Sequence, residues 1–331
     1  MVLNIKSMKT QLSVSSPFIL GVYHQDDYPQ GSDHLGVDKK WLNGRNKGND
    51  FQKVNGFRMY HGDHVPGFPA HPHRGFETVT IVMDGYIDHS DNMGATGRYG
   101  MGDVQWMTAG SGCQHAEMFP LLKKDEPNSL ELFQLWLNLE SKYKFVDPVY
   151  QMMWNEDIPV KRLSENTSVK VISGEIRGLT SLVPPKASYA FDPTHGVGIF
   201  LIEIGANETF TLPVRSKNVN RTVYFYRGSK LKVGHQIIDV MNQFDCDVQE
   251  EVILHSLNET AYLLVLEGVP IGEPMVAYGP FVMNSQEEIM DAFNDYRKDQ
   301  FGGWPWNRPD PTHGDSGRFA KDKHGNVVTR G

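Results

Sequence analysis

Two histidines one residue apart, His71 and His73, open the phrase HPHRGFETVTIV at residues 71–82, ahead of a β-branched run that reads as strand. In a strand, residues i and i+2 face the same side, so both imidazoles can aim at one point. A second phrase, GCQHAEMF at 112–119, repeats the device with His115 and Glu117. Two strands lining one interior would then offer three imidazole nitrogens and a carboxylate oxygen. That mixed set suits Fe, Mn, Ni, Cu or Zn, and the lack of thiolates argues against a purely structural zinc site. On an octahedral metal, four such ligands leave two positions for water, O2 or substrate. Pro72 stiffens the histidine pair, and Gly110 and Gly112 permit a sharp approach to His115.

Each residue also has a plainer reading. A lone HxH or HxE on a strand is more often core or surface than ligand. The case rests on finding both, separated by segments able to bring them together. Glu77, four residues after His73, is a rival carboxylate, or else a strand residue facing solvent or an arginine. His61 and His64 flank an upstream loop and read as solvated or as supports to a ligand. His89 reads as a surface strand residue. Cys113 shares a strand side with His115 and reads as small buried packing rather than a redox sensor.

The elements around these residues are short strands. ETVTIVMDGYIDHSD (77–91) breaks at Asp84-Gly85, a hairpin signal, and DVQWMTAGSGCQHAEMF (103–119) reads as two strands about a glycine-rich turn. In LELFQLWLNLE (130–140), Leu135, Leu137 and Leu139 alternate with Gln134, Trp136 and Asn138. Residues 141–170 read as a linker or crossover. Strands return at 169–176, 197–214, 221–234 and 260–268. RTVYFYRG echoes ETVTIVMDG roughly 144 positions earlier, which suggests that one β-domain is duplicated. The one strong helix is SQEEIMDAFNDYRKDQF, where Ser285 and Glu288 make a capping box ahead of an Ile289, Ala292, Phe293, Tyr296 stripe. The segment after Gly302 is rich in proline and glycine and reads as extended.

GFPAHPHRGFETVTIVMDG together with GDVQWMTAGSGCQHAEM closely resembles the pirin family of the cupin superfamily, as does GPFVMNSQEEI at 279–289. The resemblance implies an all-β bicupin: two barrels in tandem with a short C-terminal helix. The expected domains are 1–150 with the metal, 151–284 as metal-free scaffold, and 285–331 as helix plus extended segment. It implies His71, His73, His115 and Glu117 as ligands to one divalent transition metal, Fe(II) first, with Mn, Ni, Cu or Zn as alternatives. Glu77 is second choice, since other cupins take a carboxylate soon after the HxH. The stretch ETFTLPVRSKNVNRTVYF, counterpart of the histidine segment, holds no histidine, which fits a scaffold. The polar stretch 23–50 and the segment after 301 exceed the family's usual length.

Two functions follow from the resemblance. One is a quercetin 2,3-dioxygenase-like enzyme acting on a small aromatic substrate with O2, Glu117 serving as general base and Phe76 and Trp106 flanking a planar ring. The other is an iron-binding regulator acting through a protein partner such as a transcription factor, without turnover. The net charge of −8 argues against direct nucleic-acid binding. No apolar run is long enough to span a membrane, and no signal-peptide core opens the chain. Two cysteines, Cys113 and Cys246, fit a reduced cytoplasmic setting better than a disulfide framework. A monomer is expected.

Overall fold

The computed structural model describes residues 2–331. Strands dominate, with one α-helix. The chain forms two compact units. One, here the histidine unit, comprises Tyr23–Gln134, Ser141–Asn155 and Glu273–Gly331. The other comprises the residues up to Val22, Leu135–Glu140 and Glu156–Gly272. The units are thus interleaved in sequence, where a cut at 150 would leave each contiguous. Pairing explains this. Val2–Ser7 is antiparallel to Asn242–Cys246, and Arg318–Lys321 is antiparallel to Thr96–Gly100.

Two sheets build the histidine unit. One carries Val149–Met153, Val104–Thr108, Phe76–Asp84 and Asn128–Asn138 in that order. The other runs Val327–Arg330, Arg318–Lys321, Thr96–Gly100, Tyr86–Asp91, Cys113–Met118, Gly67–His73. Asp84-Gly85 is therefore not the hairpin expected from sequence. The strands on either side of it belong to different sheets, and the chain turns a corner between them. Gly85 has φ +80°, and a Cβ there would stand 2.5 Å from the Ser129 carbonyl oxygen. A hairpin turn and a corner both need such a residue, so sequence alone does not separate them. The glycine-rich turn before Cys113 joins the two sheets in the same way.

Two other segments differ from expectation. Within 141–170, Val149–Met153 is not linker but a strand on Val104–Thr108. The 302–331 segment is not simply extended. It contributes the hairpin Arg318–Lys321 with Val327–Arg330, and Arg318 forks onto buried Asp103 at 2.9 and 2.8 Å. The helix forms as its sequence predicts, Gln286–Asp299, with Ser285 and Glu288 capping reciprocally. Ile289 and Ala292 are buried against Phe281 and Met283, with Phe293 and Tyr296 packed beside them.

The second unit repeats the pairing scheme. Asn220–Arg227 lies between Asn242–Cys246 and Ala261–Gly268, and Val252–Ser256 lies between Thr209–Leu212 and Lys230–Val233. These strands stand as Phe76–Asp84 and Cys113–Met118 do in the histidine unit, which gives the sequence echo a structural meaning. Here the positions facing the core are apolar. Phe210 pairs with Leu254, and both join Leu212 in a cluster of buried aliphatic and aromatic side chains. No helix among the described residues is long and apolar enough to cross a membrane. Cys113 and Cys246 are both free and buried.

Candidate metal centre

The antiparallel pair Gly67–His73 and Cys113–Met118 sets His71 opposite His115 and Phe68 opposite Glu117. The register slips between Phe68 and His71, so the histidine strand carries one extra residue there. Such a bulge re-aims the side chains that follow it. Two bonds hold it: Ala70 N donates to the Pro309 carbonyl at 2.7 Å, and His71 Nδ1 donates to the Pro69 carbonyl at 2.9 Å. The second bond fixes the tautomer and leaves Nε2 of His71 with its lone pair free for a cation.

Three imidazoles converge. Ring centroids lie 4.8 Å apart for His71–His73, 4.5 Å for His71–His115 and 5.0 Å for His73–His115. Their ligating nitrogens all fall within 4.8 Å of one another. Burial pushes the His71 ring down to about 4 and those of His73 and His115 well below the usual histidine range. All three are neutral near pH 7, the form that binds metal. His115 is fully buried, and neither of its ring nitrogens has a hydrogen-bond partner. An orphaned buried polar atom costs about 1–3 kcal/mol, a cost that a metal ion would remove. The donor set therefore fits a divalent transition metal.

Glu117 stands at the edge of this group, one carboxylate oxygen 3.7 Å from His115 Nε2. Gln134 Nε2 donates to both oxygens, at 3.0 and 2.8 Å, and Thr80 Oγ1 lies 3.4 Å from one. Burial raises the Glu117 carboxyl above the ordinary range, against the pull of these donors. Glu77 is turned elsewhere. It is buried and accepts from Thr108 Oγ1 at 2.7 Å; the clustered ligand atoms are those of the three histidines, and of the two carboxylates it is Glu117 that approaches them. Cys113 packs with Met107 and Ala109, and burial raises its thiol, as expected of a small core residue.

His89 is not on the surface as its strand's polarity suggests. It is fully buried, its ring 5.6 Å from that of His115 and stacked on Tyr150 at 4.8 Å. Tyr99 donates to Gln105 Oε1 at 2.8 Å, so the Gln105 amide nitrogen donates to His89 Nδ1, also at 2.8 Å. His89 Nε2 is then the protonated nitrogen and donates to Asp91 at 3.2 Å. Both ring nitrogens are engaged, so His89 packs behind the centre rather than ligating. Its strand reads as polar because its polar groups pair internally: Arg98 forks onto Asp88 at 2.6 and 2.7 Å, and Ser90 meets Thr96 at 3.2 Å.

Phe76 and Trp106 are both fully buried, and Phe76 packs edge-on to His73 at 5.1 Å, so they are barrel core. On the outer side of His71 stand half-buried Phe68, 6.1 Å from it, and His61, 5.7 Å from Phe68. His61 and His64 are exposed, as their loop position predicts. Sequence reasoning gave no role at the centre to Phe68 or Gln134. Lys144 is buried, with Nζ donating to the carbonyls of Gly75 and Val282 at 2.7 and 3.0 Å. Phe68 lies three residues before His71, whereas Gln134 reaches Glu117 from a different strand.

The chain matches the family model described as Pirin over residues 6–137 and the one described as Pirin C-terminal cupin domain over 199–302. It is 36% identical over 239 residues to a pirin-like protein of Caulobacter vibrioides, covering 72% of this chain and 82% of that one. It is 37% identical over 236 residues to a Pseudomonas aeruginosa protein provisionally named a quercetin 2,3-dioxygenase, covering 71% of this chain and 79% of that one. A crystal structure described as quercetin 2,3-dioxygenase from Acinetobacter baumannii superposes with a TM-score of 0.71 at 27% identity, covering 91% of this chain and 98% of that one. Two cupin barrels, three histidines gathered in one of them and both family matches agree: this chain is a member of the pirin family.

Proposed function

We propose that the chain is a metal-dependent dioxygenase of the quercetin 2,3-dioxygenase type, opening the central ring of a flavonol-like molecule with O2. The observation that carries this is the convergence of His71, His73 and His115, with His115 buried and unpartnered, beside the carboxylate of Glu117. The names of the relatives above point the same way. The metal, Fe(II) first, would supply Lewis acidity and a template for O2 and for the substrate's hydroxyl and carbonyl oxygens.

The protein's own groups do the rest. His71, His73, His115 and Glu117 are the proposed ligands. Glu117 accepts the proton of the flavonol 3-hydroxyl. Gln134 and Thr80 hold the carboxylate in place while it does so. Fully buried Phe76, edge-on to His73, keeps water from the inner side of the centre. Both atoms of O2 enter the ring-opened product, and one ring carbon leaves as CO. The second barrel, apolar at the corresponding positions, serves as scaffold.

Metal analysis of protein purified without added metal, followed by an aerobic flavonol bleaching assay with CO detection, tests this. The expected result is one metal per chain and turnover that a chelator stops. Absence of turnover in iron-, manganese-, nickel- and copper-loaded protein would overturn it and leave the iron-binding regulator.

A further inference from the structure

The polar stretch ahead of Gly67 builds more than a connection. Residues 41–55 wall a groove of about 480 Å³. Its lining combines two exposed aromatic rings, Trp41 and Phe51, with the amide side chains of Asn43, Asn46, Gln52 and Asn55. The two charged residues lining it neutralise each other. Arg45 meets Asp50 at 2.6 Å with both side chains almost fully buried, and Arg45 also donates to the carbonyls of Val54 and Phe57. Neutral amides and ring faces, with the two charged lining residues paired to each other and the Lys40 ammonium 6.0 Å from the Trp41 ring, match an uncharged polyhydroxyl group. Amides pair with hydroxyls in both directions, and aromatic faces cover the C–H face of a sugar ring.

From Phe51, at one side of this groove, a line of ring contacts leads toward the candidate metal centre. The Phe51 ring lies 5.0 Å from His61 and 6.3 Å from Phe68, and Phe68 lies 6.1 Å from His71. In this line of contacts the Phe68 ring alone stands between Phe51 and the outermost histidine, a span within the length of a three-ring flavonol. The wall is built to hold its shape. His61 Nδ1 donates to the Gly48 carbonyl at 2.6 Å. Tyr60, fully buried beneath Phe51 and Phe68, keeps a left-handed backbone at φ +59°, a conformation bulky residues avoid. Its hydroxyl bonds Asp26 at 2.6 Å and His24 at 2.7 Å, and Arg58 forks onto Asp26 at 2.9 and 2.8 Å.

We propose that the groove is a substrate subsite for a neutral glycosyl unit, carried by the aromatic substrate on a ring remote from the hydroxyl that reaches the metal. The substrate class is then a flavonol glycoside with its 3-hydroxyl free. This rests on the flavonol reading of the metal centre.

Calorimetric titration of metal-loaded protein without O2, using quercetin and quercetin 4′-O-glucoside, tests it. The wild type should bind the glucoside about tenfold tighter than quercetin. Trp41→Ala and, separately, Gln52→Ala should erase that preference while leaving quercetin affinity unchanged within about twofold. Equal affinity for both ligands in the wild type overturns the subsite and leaves the flavonol reading standing. So does a preference that survives both substitutions, or an equal loss of both ligands in the variants. Glucoside binding that depends on Trp41, with no binding of quercetin, supports the subsite and removes the flavonol reading. Failure of the wild type to bind either ligand overturns both.

Discussion

His71 and His115 stand directly opposite one another on neighbouring antiparallel strands, with ring centroids 4.5 Å apart. Two neutral imidazoles held this close, with a third beside them, gain little from one another but much from a shared cation. Replacing His71, His73 or His115 by alanine should therefore remove most bound metal, since each loss leaves at most three ligands. Elemental analysis of the purified variants reads this directly. Stoichiometric metal in a His71→Ala, His115→Ala double variant would refute the assignment.

Glu117 and Glu77 separate by what they touch. Glu117→Gln keeps a hydrogen-bonding group beside Gln134 but cannot take a proton. It should lower flavonol turnover by roughly 100-fold or more, with a smaller effect on flavonol binding. Glu77→Gln, whose parent is bonded to Thr108, should cost less than Glu117→Gln. Steady-state kinetics beside binding titrations distinguish the two. Equal activity in wild type and Glu117→Gln would remove Glu117 as the base.

His89 should matter to stability more than to metal content. His89→Ala opens a void against Tyr150 and strips partners from Gln105 and Asp91, at a cost of about 3 kcal/mol. Urea unfolding measures the loss. Metal binding should persist in the folded variant, because both nitrogens of His89 are already committed within the protein. A folded His89→Ala protein without metal would instead make His89 a ligand.

The pH dependence of stability should carry the mark of His24. Burial, assisted by the nearby Arg58 charge, pushes His24 down to about 3. The unfolded chain has an ordinary histidine at about 6.5, so below that pH it takes a proton that the folded chain refuses. This contribution is fully present above about pH 6.5 and is lost as pH falls toward 3, at up to about 1.4 kcal/mol per pH unit. Between pH 6.5 and 5, the apo wild type should lose about 2 kcal/mol more than His24→Gln in urea titrations. Parallel pH profiles for the two proteins would contradict it.

The legible parts of the sequence are those where one local rule sufficed. An i, i+2 spacing places two side chains on one face whatever the sheet, so His71 could be paired with His73 and His115 with Glu117, while their meeting across strands rested on the resemblance. The capping box of Ser285 and Glu288 needs nothing outside its own turn. The misread parts depend on distant partners. Tyr86–Asp91 is polar in sequence yet largely buried, because Arg98, Thr96 and Gln105 answer its side chains from other strands. Asp84-Gly85 satisfies a hairpin and a corner equally, and only the sheet assignments tell which it is. The 318–330 hairpin follows a stretch rich in glycine and proline, and it is held from far away in sequence by Arg318 on Asp103.

That late hairpin also sets an order of events during synthesis. Thr96–Gly100 leaves the ribosome more than 200 residues before its partner Arg318–Lys321 exists, and until then one side of that strand has open backbone groups. The unit holding the histidines can assemble early through its local pairs, but its sheet stays unfinished until translation has passed residue 321. The second unit has the opposite schedule: its edge strand Val2–Ser7 is made first and waits for Asn242–Cys246. Contacts this remote in sequence slow folding. A nascent chain stalled near residue 300 therefore presents an unpaired strand edge, the kind of surface through which unfinished chains associate.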